Sequence, residues 1–171
     1  MTRIHSLSDD QSAAARPLLD AVRAKLGMVP NIVRTLAHSP AALRGYLSLS
    51  DSLSGGALSA AERETVALAV GQANACGYCL SAHTLMAKGA GLSPDAIVAA
   101  RQGEGTPLAR FARKVTTTRG ALSDQDVAEA RAMGLSDSQL IEVIAHVALN
   151  TLTNYVNHIA ATEIDFPVVK V

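Results

Sequence analysis

The sequence predicts an all-α protein, and three observations support this prediction. Apolar residues recur at three- and four-residue steps along most of the 171-residue chain, which is the spacing of one helical face. Aromatic residues make up only 3% and Trp is absent, whereas β-sandwiches favour aromatic and β-branched residues. Serine-based capping signals precede several of the apolar runs. We therefore expect a helical bundle.

Glycine, proline and serine divide the first half of the chain into helices. Gly27 suits the left-handed position that ends a helix, and Pro40 suits the first turn of one. Ser59 and Glu62 form a capping box, so a helix begins at Ser59. A Ser-Gly-Gly break precedes this box. The expected helices lie at about 10–26, 30–37, 40–53 and 59–73.

The second half contains similar boundary signals. A helix is expected to begin at Cys76 or Gly77, directly after the previous one ends. Pro107 opens a later helix, and Ser136 with Gln139 forms a second capping box that opens a long final helix. No linker separates two units, so we treat 1–171 as a single domain. The expected helices lie at about 76–88, 93–102, 107–120, 123–134 and 136–163, followed by an extended tail.

Composition and charge exclude several classes of protein. Charged residues make up 18%, below the average of about 25%, and the net charge is zero, so we expect a homo-oligomer. No basic run is present, which argues against a nucleic-acid partner. The polar start has no signal-peptide pattern, and no apolar run is long enough to cross a membrane. A cytoplasmic location is therefore expected, where closely spaced cysteines are more often catalytic, redox or metal-binding than structural.

The segment from Glu64 to His83 carries the candidate chemistry. Cys76 and Cys79 form a Cys-x-x-Cys motif at the start of a predicted helix, and His83 follows Cys79 by four residues. These three side chains project within about 60° of one another on an ideal helix. Glu64 lies on the preceding helix, so a hairpin would point its carboxylate at the cysteine face. Free N–H groups at a helix start lower the pKa of a thiol.

These side chains match a thiol redox site. One thiolate attacks an oxidant, and the second thiol resolves the intermediate as an intramolecular disulfide. His83 and Glu64 can move the protons. Position alone favours Cys76 as the nucleophile, because the first cysteine is the exposed one in thioredoxin-like sites.

Two other interpretations of the cysteine pair remain open. The thiols could be small buried hydrophobic groups. They could also join His83 as three ligands of a zinc site, with Glu64, His146 or His158 as the fourth. Structural zinc sites usually draw on two separated cysteine pairs, and the chain has no second pair.

The final predicted helix carries polar side chains among apolar ones. His146 is expected to be a hydrogen-bonded residue of the core or of an interface. His158, with Asn154 and Asn157, could line either an active site or an interface, and we favour the interface.

The segment Cys76-Gly77-Tyr78-Cys79-Leu80-Ser81-Ala82-His83, preceded by Arg63-Glu64, resembles the AhpD-like alkylhydroperoxidase group of the carboxymuconolactone decarboxylase superfamily. The core of the resemblance covers 58–91. The flanks, at 27–31 and 150–167, resemble the peroxidase-related branch. The resemblance implies an all-helical fold, assembly into trimers or hexamers, and reduction of organic hydroperoxides without a cofactor. It also implies an electron donor, either a dithiol protein or a lipoyl domain.

The resemblance further implies a role for each matching residue. Cys79 corresponds to the peroxidatic cysteine and Cys76 to the resolving one, while Glu64 and His83 correspond to the proton relay. Tyr78 is a departure, because well-studied members have a second histidine at this position. A tyrosine has a pKa near 10, so it donates a hydrogen bond but is a poor base near neutrality.

Two other function classes remain as alternatives. A cofactor-free lactone decarboxylase is the superfamily's other activity, but those members lack the cysteine pair. A non-enzymatic helical oligomer, either metal-binding or redox-sensing, would use the cysteines without turnover.

Overall fold

The protein is all-α, as the sequence predicts. The computed structural model describes all 171 residues. No helix combines the length and the apolarity that a membrane crossing requires. A 3₁₀ turn at Asp10–Ala15 is followed by α1 (Arg16–Leu26), α2 (Asn31–Leu36), α3 (Pro40–Ser54), α4 (Ala60–Ala73), α5 (Gly77–Gly89), α6 (Pro94–Gln102), α7 (Pro107–Thr118), α8 (Asp124–Ala132) and α9 (Asp137–Ala160).

The predicted capping signals are present at the helix ends. Ser59 accepts a hydrogen bond from the Glu62 N–H, and the Glu62 carboxylate accepts from the Ser59 N–H in return. Ser136 forms the same reciprocal pair with Gln139. Gly27 ends α1 with a φ of 75°, a conformation that glycine adopts without steric cost. These local hydrogen bonds satisfy N–H groups that have no partner inside the helix.

Two predicted helix boundaries differ from the observed ones by three or more residues. The predicted helix at 10–26 begins as the 3₁₀ turn, within which the Ser12 hydroxyl donates to the Ser8 and Asp9 carbonyls. The last helix ends at Ala160 rather than near 163, because Ala161 adopts a left-handed conformation with a φ of 49° and its N–H, like that of Thr162, donates to the Asn157 carbonyl. The N–H of Arg3 donates to the Ala160 carbonyl at 2.7 Å, so the N-terminal segment also contacts this end of α9.

Helix α4 is the centre of the bundle. It packs against α5, α6, α7 and α9, and its residues from Thr65 to Gly71 are all buried. One core cluster joins α4 to α7, α8 and α9. A second cluster joins α1, α2 and α3 to Cys76, Tyr78 and Cys79. The cysteine pair therefore lies where the N-terminal helices cover the start of α5.

The loop before α4 is held by two side chains of opposite charge. The Glu142 carboxylate, on α9, accepts from the N–H of Ala57 at 2.7 Å and from the N–H of Leu58 at 3.2 Å. The Arg63 guanidinium, on α4, donates to the Leu58 carbonyl at 2.6 Å. These bonds fix the start of α4 relative to α9, and with it the position of Glu64.

Candidate active site

A tight turn between α4 and α5 places the first cysteine. Ala75 adopts a left-handed conformation with a φ of 54°, which an alanine takes up at a cost of about 1 kcal/mol. The Ala75 N–H donates to the Gln72 carbonyl, and the Cys76 N–H donates to the Gly71 carbonyl. This is the bond pattern of a Schellman motif, so the chain reverses within three residues and α5 begins directly beside the end of α4.

Cys76 and Cys79 are joined as a disulfide at the N-terminus of α5. Cys76 is the N-cap residue, and its sulfur accepts the Cys79 N–H at 3.2 Å. The two Cα atoms are 5.3 Å apart, within the usual range for a disulfide. The cysteines are only 2% and 3% exposed. Both are therefore buried, in contrast to the thioredoxin-like pattern in which the first cysteine is exposed.

Glu64 and His83 form the second half of the predicted site. The Glu64 carboxylate, on α4, lies 2.8 Å from His83 Nδ1, on α5, so the hairpin brings the pair together as the sequence predicts. Both side chains are mostly buried. The hydrogen bonds of this pair do not extend to either cysteine sulfur, so the four predicted residues form two pairs rather than one continuous chain.

The Cys79 sulfur is contacted by two residues that the sequence analysis placed at an interface. The side-chain amide of Asn154 donates to Cys79 Sγ at 2.9 Å, and that of Asn157 donates at 3.3 Å. Both asparagines are buried within a single chain, on the face of α9 that meets α5. The prediction of an interface is therefore wrong for these two residues. Their i, i+3 spacing on one helical face was the available signal, but the spacing alone names no partner.

Tyr78, the residue between the cysteines, fastens the C-terminal tail to α5. Its hydroxyl donates to the Asp165 carboxylate at 2.7 Å and accepts from the Ile32 N–H at 3.2 Å. Burial, reinforced by the bond to Asp165, holds the pKa of Tyr78 far above its ordinary value. Tyr78 therefore keeps its proton near neutral pH and acts as an anchor, not as a base.

The tail crosses α5 beyond this anchor. The ring of Phe166 packs edge-on against the ring of Tyr78, with their centres 5.7 Å apart. The Val169 N–H donates to the Ser81 hydroxyl at 2.9 Å, one helical turn further along α5. The tail thus covers the Gly77–Ser81 side of α5 while the N-terminal helices cover the cysteines.

His146 is a buried histidine with an unsatisfied ring nitrogen. It is 5% exposed, and its Nε2 atom has no hydrogen-bond partner. Burial lowers the pKa of His146, and the nearby Arg63 charge lowers it further, while Glu142 and Glu64 act in the opposite direction. His146 is therefore neutral in the folded protein near pH 7.

The neutral state of His146 predicts a pH-dependent stability. The unfolded chain protonates this histidine below about pH 6.5, whereas the folded chain resists protonation until a lower pH. The free energy of unfolding is thus expected to fall as the pH drops below about 6.5, by up to about 1.4 kcal/mol per pH unit from this group. Urea unfolding of His146→Leu should show a shallower fall, while His5→Gln, a change at an exposed histidine, should behave as wild type. Identical slopes for all three proteins would contradict the assignment.

Two surface cavities lie away from the predicted site. One, of about 660 Å³, is lined by Gln72, Arg101 and Arg113 among others. Another, of about 470 Å³, lies between α4 and α6. Neither is lined by any of the four predicted site residues. The structure also contains no group of three or more His, Cys, Asp or Glu side chains arranged to hold a metal ion.

Comparison with known proteins supports the predicted family resemblance. Residues 40–118 match the model of the carboxymuconolactone decarboxylase family. The matched region contains Glu64, Cys76, Cys79 and His83, and the resemblance identified from these residues is confirmed. By contrast, no protein of curated function matches the chain by sequence.

Solved structures share the fold of this chain over nearly its whole length. A peroxidase-related protein from Silicibacter sp. TM1040 is 22% identical, with a TM-score of 0.79 over 94% of this chain and 92% of its own. A peroxidase-related protein with an AhpD core, from Ralstonia eutropha JMP134, is 24% identical, with a TM-score of 0.73 over 96% and 94%. The debrominase Bmp8, in complex with 2,3,4-tribromopyrrole, is 18% identical, with a TM-score of 0.80 over 96% and 92%. At these identities the likeness establishes the AhpD-like helical fold.

Proposed function

We propose that this protein is a thiol-dependent peroxidase that reduces organic hydroperoxides through a Cys76–Cys79 disulfide cycle. The observation that carries the proposal is the buried disulfide at the start of α5, with the Cys79 sulfur accepting two side-chain amide hydrogen bonds. The match to the family model and the peroxidase-related proteins that share the fold also support it.

In the first step, the Cys79 thiolate attacks the terminal oxygen of the hydroperoxide. The S–O bond forms and the O–O bond breaks, so the sulfur is oxidised to a sulfenic acid while the hydroperoxide is reduced. The alkoxide leaves with a proton supplied through the Glu64–His83 pair, and an alcohol is released. The terminal proton of the hydroperoxide stays on the sulfenic oxygen.

In the second step, the Cys76 thiol attacks the Cys79 sulfur. The S–S bond forms, the S–O bond breaks, and the hydroxyl leaves as water with the proton from Cys76. An external dithiol, from a dithiol protein or a lipoyl domain, then reduces the disulfide and is itself oxidised. The short spacing between the two cysteines favours this ring closure, because their Cα atoms are 5.3 Å apart.

Cys79 is the better candidate for the nucleophile. Its sulfur accepts from both Asn154 and Asn157, whereas the Cys76 sulfur accepts only the backbone N–H of Cys79. Hydrogen bonds to the charged form favour that form, so the two amides stabilise a thiolate at Cys79. The same stabilisation makes Cys79 the preferred leaving group when a donor thiolate attacks Cys76.

The test is a thiol count with intact mass on reduced, metal-free protein, before and after one equivalent of cumene hydroperoxide. We expect both thiols to disappear and the mass to fall by about two hydrogens, as disulfide formation requires. Two thiols that persist would refute the proposal.

The debrominase Bmp8 shares the fold, so the fold alone does not select the substrate. The preference for a hydroperoxide rests on the cysteine pair, the Glu64–His83 pair and the peroxidase-related relatives. The thiol count measures this directly, because it asks whether a hydroperoxide oxidises the pair.

We also propose that the protein is a homo-oligomer, with α9 at the contact between copies. Apolar side chains on one face of α9 are exposed in the single chain, at spacings of three, four or eight residues. They are Ile141, Ile144, Leu152, Tyr155 and Ile159. Burying this face against a second copy removes apolar area from water. Sedimentation equilibrium is expected to give a trimer or hexamer, and a single-chain mass would contradict the proposal.

A further inference from the structure

Two side-chain amides donate hydrogen bonds to the Cys79 sulfur. Asn154 Nδ2 and Asn157 Nδ2 lie 2.9 and 3.3 Å from Cys79 Sγ. Both asparagines are more than nine-tenths buried, so water does not compete for the same bonds. Two N–H donors aimed at a buried sulfur favour its thiolate form, which accepts strong hydrogen bonds. A neutral thiol needs no such donors.

The donor orientation of Asn154 is fixed by a further hydrogen bond. Asn74 Nδ2 donates to Asn154 Oδ1 at 2.8 Å, so the Asn154 oxygen is already occupied and its nitrogen faces Cys79. Asn74 is the C-cap of α4, and its own carbonyl accepts from His158 Nε2 at 2.9 Å. The turn that places Cys76 therefore also holds the residue that orients Asn154.

Asn157 has a free acceptor beside the sulfur. Its Nδ2 atom contacts Cys79, whereas its Oδ1 atom is buried and has no hydrogen-bond partner. An unsatisfied buried acceptor costs free energy, so its persistence next to a reactive atom points to a ligand that donates an O–H. The terminal O–H of a hydroperoxide, or of the sulfenic acid formed from it, is such a donor.

We propose that Asn154 and Asn157 are catalytic residues that hold Cys79 as a thiolate, and that the Asn157 carbonyl oxygen accepts the O–H of the hydroperoxide. The first part is a property of the thiol and does not depend on the oxidant. The second part rests on the proposed peroxidase function.

Other titratable side chains lie on the elements packed around the cysteines. They are Tyr46 on α3, Glu64 on α4, Tyr78 and His83 on α5, His158 on α9 and Asp165 on the tail. These groups are unchanged by substitution of Asn154 or Asn157, so a difference between the variants reports on the amides.

The first experiment measures the rate at which iodoacetamide alkylates Cys79, as a function of pH, in a Cys76→Ser background. The midpoint of this pH profile reports the pKa of the Cys79 thiol. Asn154→Ala and Asn157→Ala are each expected to raise this midpoint by about one pH unit, so that alkylation below the midpoint becomes roughly tenfold slower. Asn150→Ala is the matched control, because Asn150 is buried on the same face of α9 but donates to the His146 carbonyl. Its midpoint is expected to stay at the background value.

A milder variant keeps the first part of the proposal testable if Asn154→Ala or Asn157→Ala fails to fold. Asn74→Ala leaves both amides on the sulfur but removes the bond that orients Asn154, so a smaller upward shift of the midpoint is expected. Unchanged midpoints in the folded variants, with helicity checked by circular dichroism, would overturn the first part of the proposal.

The second experiment is done at a pH above the alkylation midpoint of every variant, where Cys79 is a thiolate in all of them. It compares the rate of alkylation with the rate of peroxide reduction. Alkylation rates should then be equal. The rate with cumene hydroperoxide should remain about tenfold lower in Asn157→Ala but not in Asn154→Ala. Equal peroxide rates would overturn the second part. A protein that shows the alkylation shifts but reacts with no hydroperoxide would retain the thiolate assignment and refute the peroxidase function.

Discussion

Replacing Cys79 by serine is expected to reduce the consumption of organic hydroperoxides to the uncatalysed rate. The thiolate is the only proposed group that can accept the hydroperoxide oxygen, and a serine hydroxyl in its place is neither ionised near neutral pH nor oxidisable to a sulfenic acid. The measurement is the loss of cumene hydroperoxide in the presence of an excess of a small dithiol.

Cys76→Ser is the matched variant. It removes the resolving thiol but leaves Cys79 and its two amide donors in place. We expect a single rapid oxidation that stops at a sulfenic acid, which dimedone traps as an adduct on Cys79. Trapping on Cys76 in the Cys79→Ser variant, with no reaction in Cys76→Ser, would reverse the two roles. Near-normal turnover in Cys79→Ser would exclude the disulfide cycle.

Replacing His83 by glutamine is expected to lower the rate of peroxide reduction by about 10²- to 10⁴-fold, the usual contribution of general acid catalysis. His83 is held by Glu64 at 2.8 Å, so the proton that it supplies is delivered from a fixed ring. The loss arises because an alkoxide is a poor leaving group without a proton donor.

The leaving group separates a chemical role of His83 from a structural one. Peracetic acid releases acetate, which needs no proton, so His83→Gln is expected to lose much less activity with the peracid than with cumene hydroperoxide. His38→Gln, a change at an exposed histidine, serves as the control for both oxidants. Equal losses with both oxidants would show that His83 supports the fold of the site and does not donate the proton.

The helices themselves could be predicted from local chemistry. Ser59, Ser136 and Gly27 mark ends that depend on hydrogen bonds within four residues of the cap, and such bonds form wherever the local sequence allows them. The two boundary errors arise where apolar periodicity continues but the backbone leaves the α-helix. Ser12 bonds to the Ser8 and Asp9 carbonyls in a 3₁₀ turn, and Ala161 adopts a left-handed conformation that a glycine would have signalled but an alanine does not.

The site could be predicted only in part, because some of its contacts join residues that are distant in sequence. Cys76, Cys79 and His83 are close in sequence. Glu64 lies on the preceding helix, so the hairpin of α4 and α5 brings it to His83. The contact of Asn154 with Cys79 spans 75 residues and depends on how α9 packs against α5. A spacing rule applies within one helix, whereas packing of two helices depends on every side chain in the interface.

The amino-acid sequence by itself determined the all-α class, most helix ends and the close spacing of Cys76 and Cys79 at a helix start, because propensity, capping and i, i+3 spacing act over a few residues. The tertiary structure decided that both cysteines are buried, that Tyr78 anchors the tail instead of relaying protons, and that two asparagines face the Cys79 sulfur. Each of these features joins segments distant in sequence. Their geometry follows from the packing of α4, α5 and α9 around a shared core, which no single segment specifies.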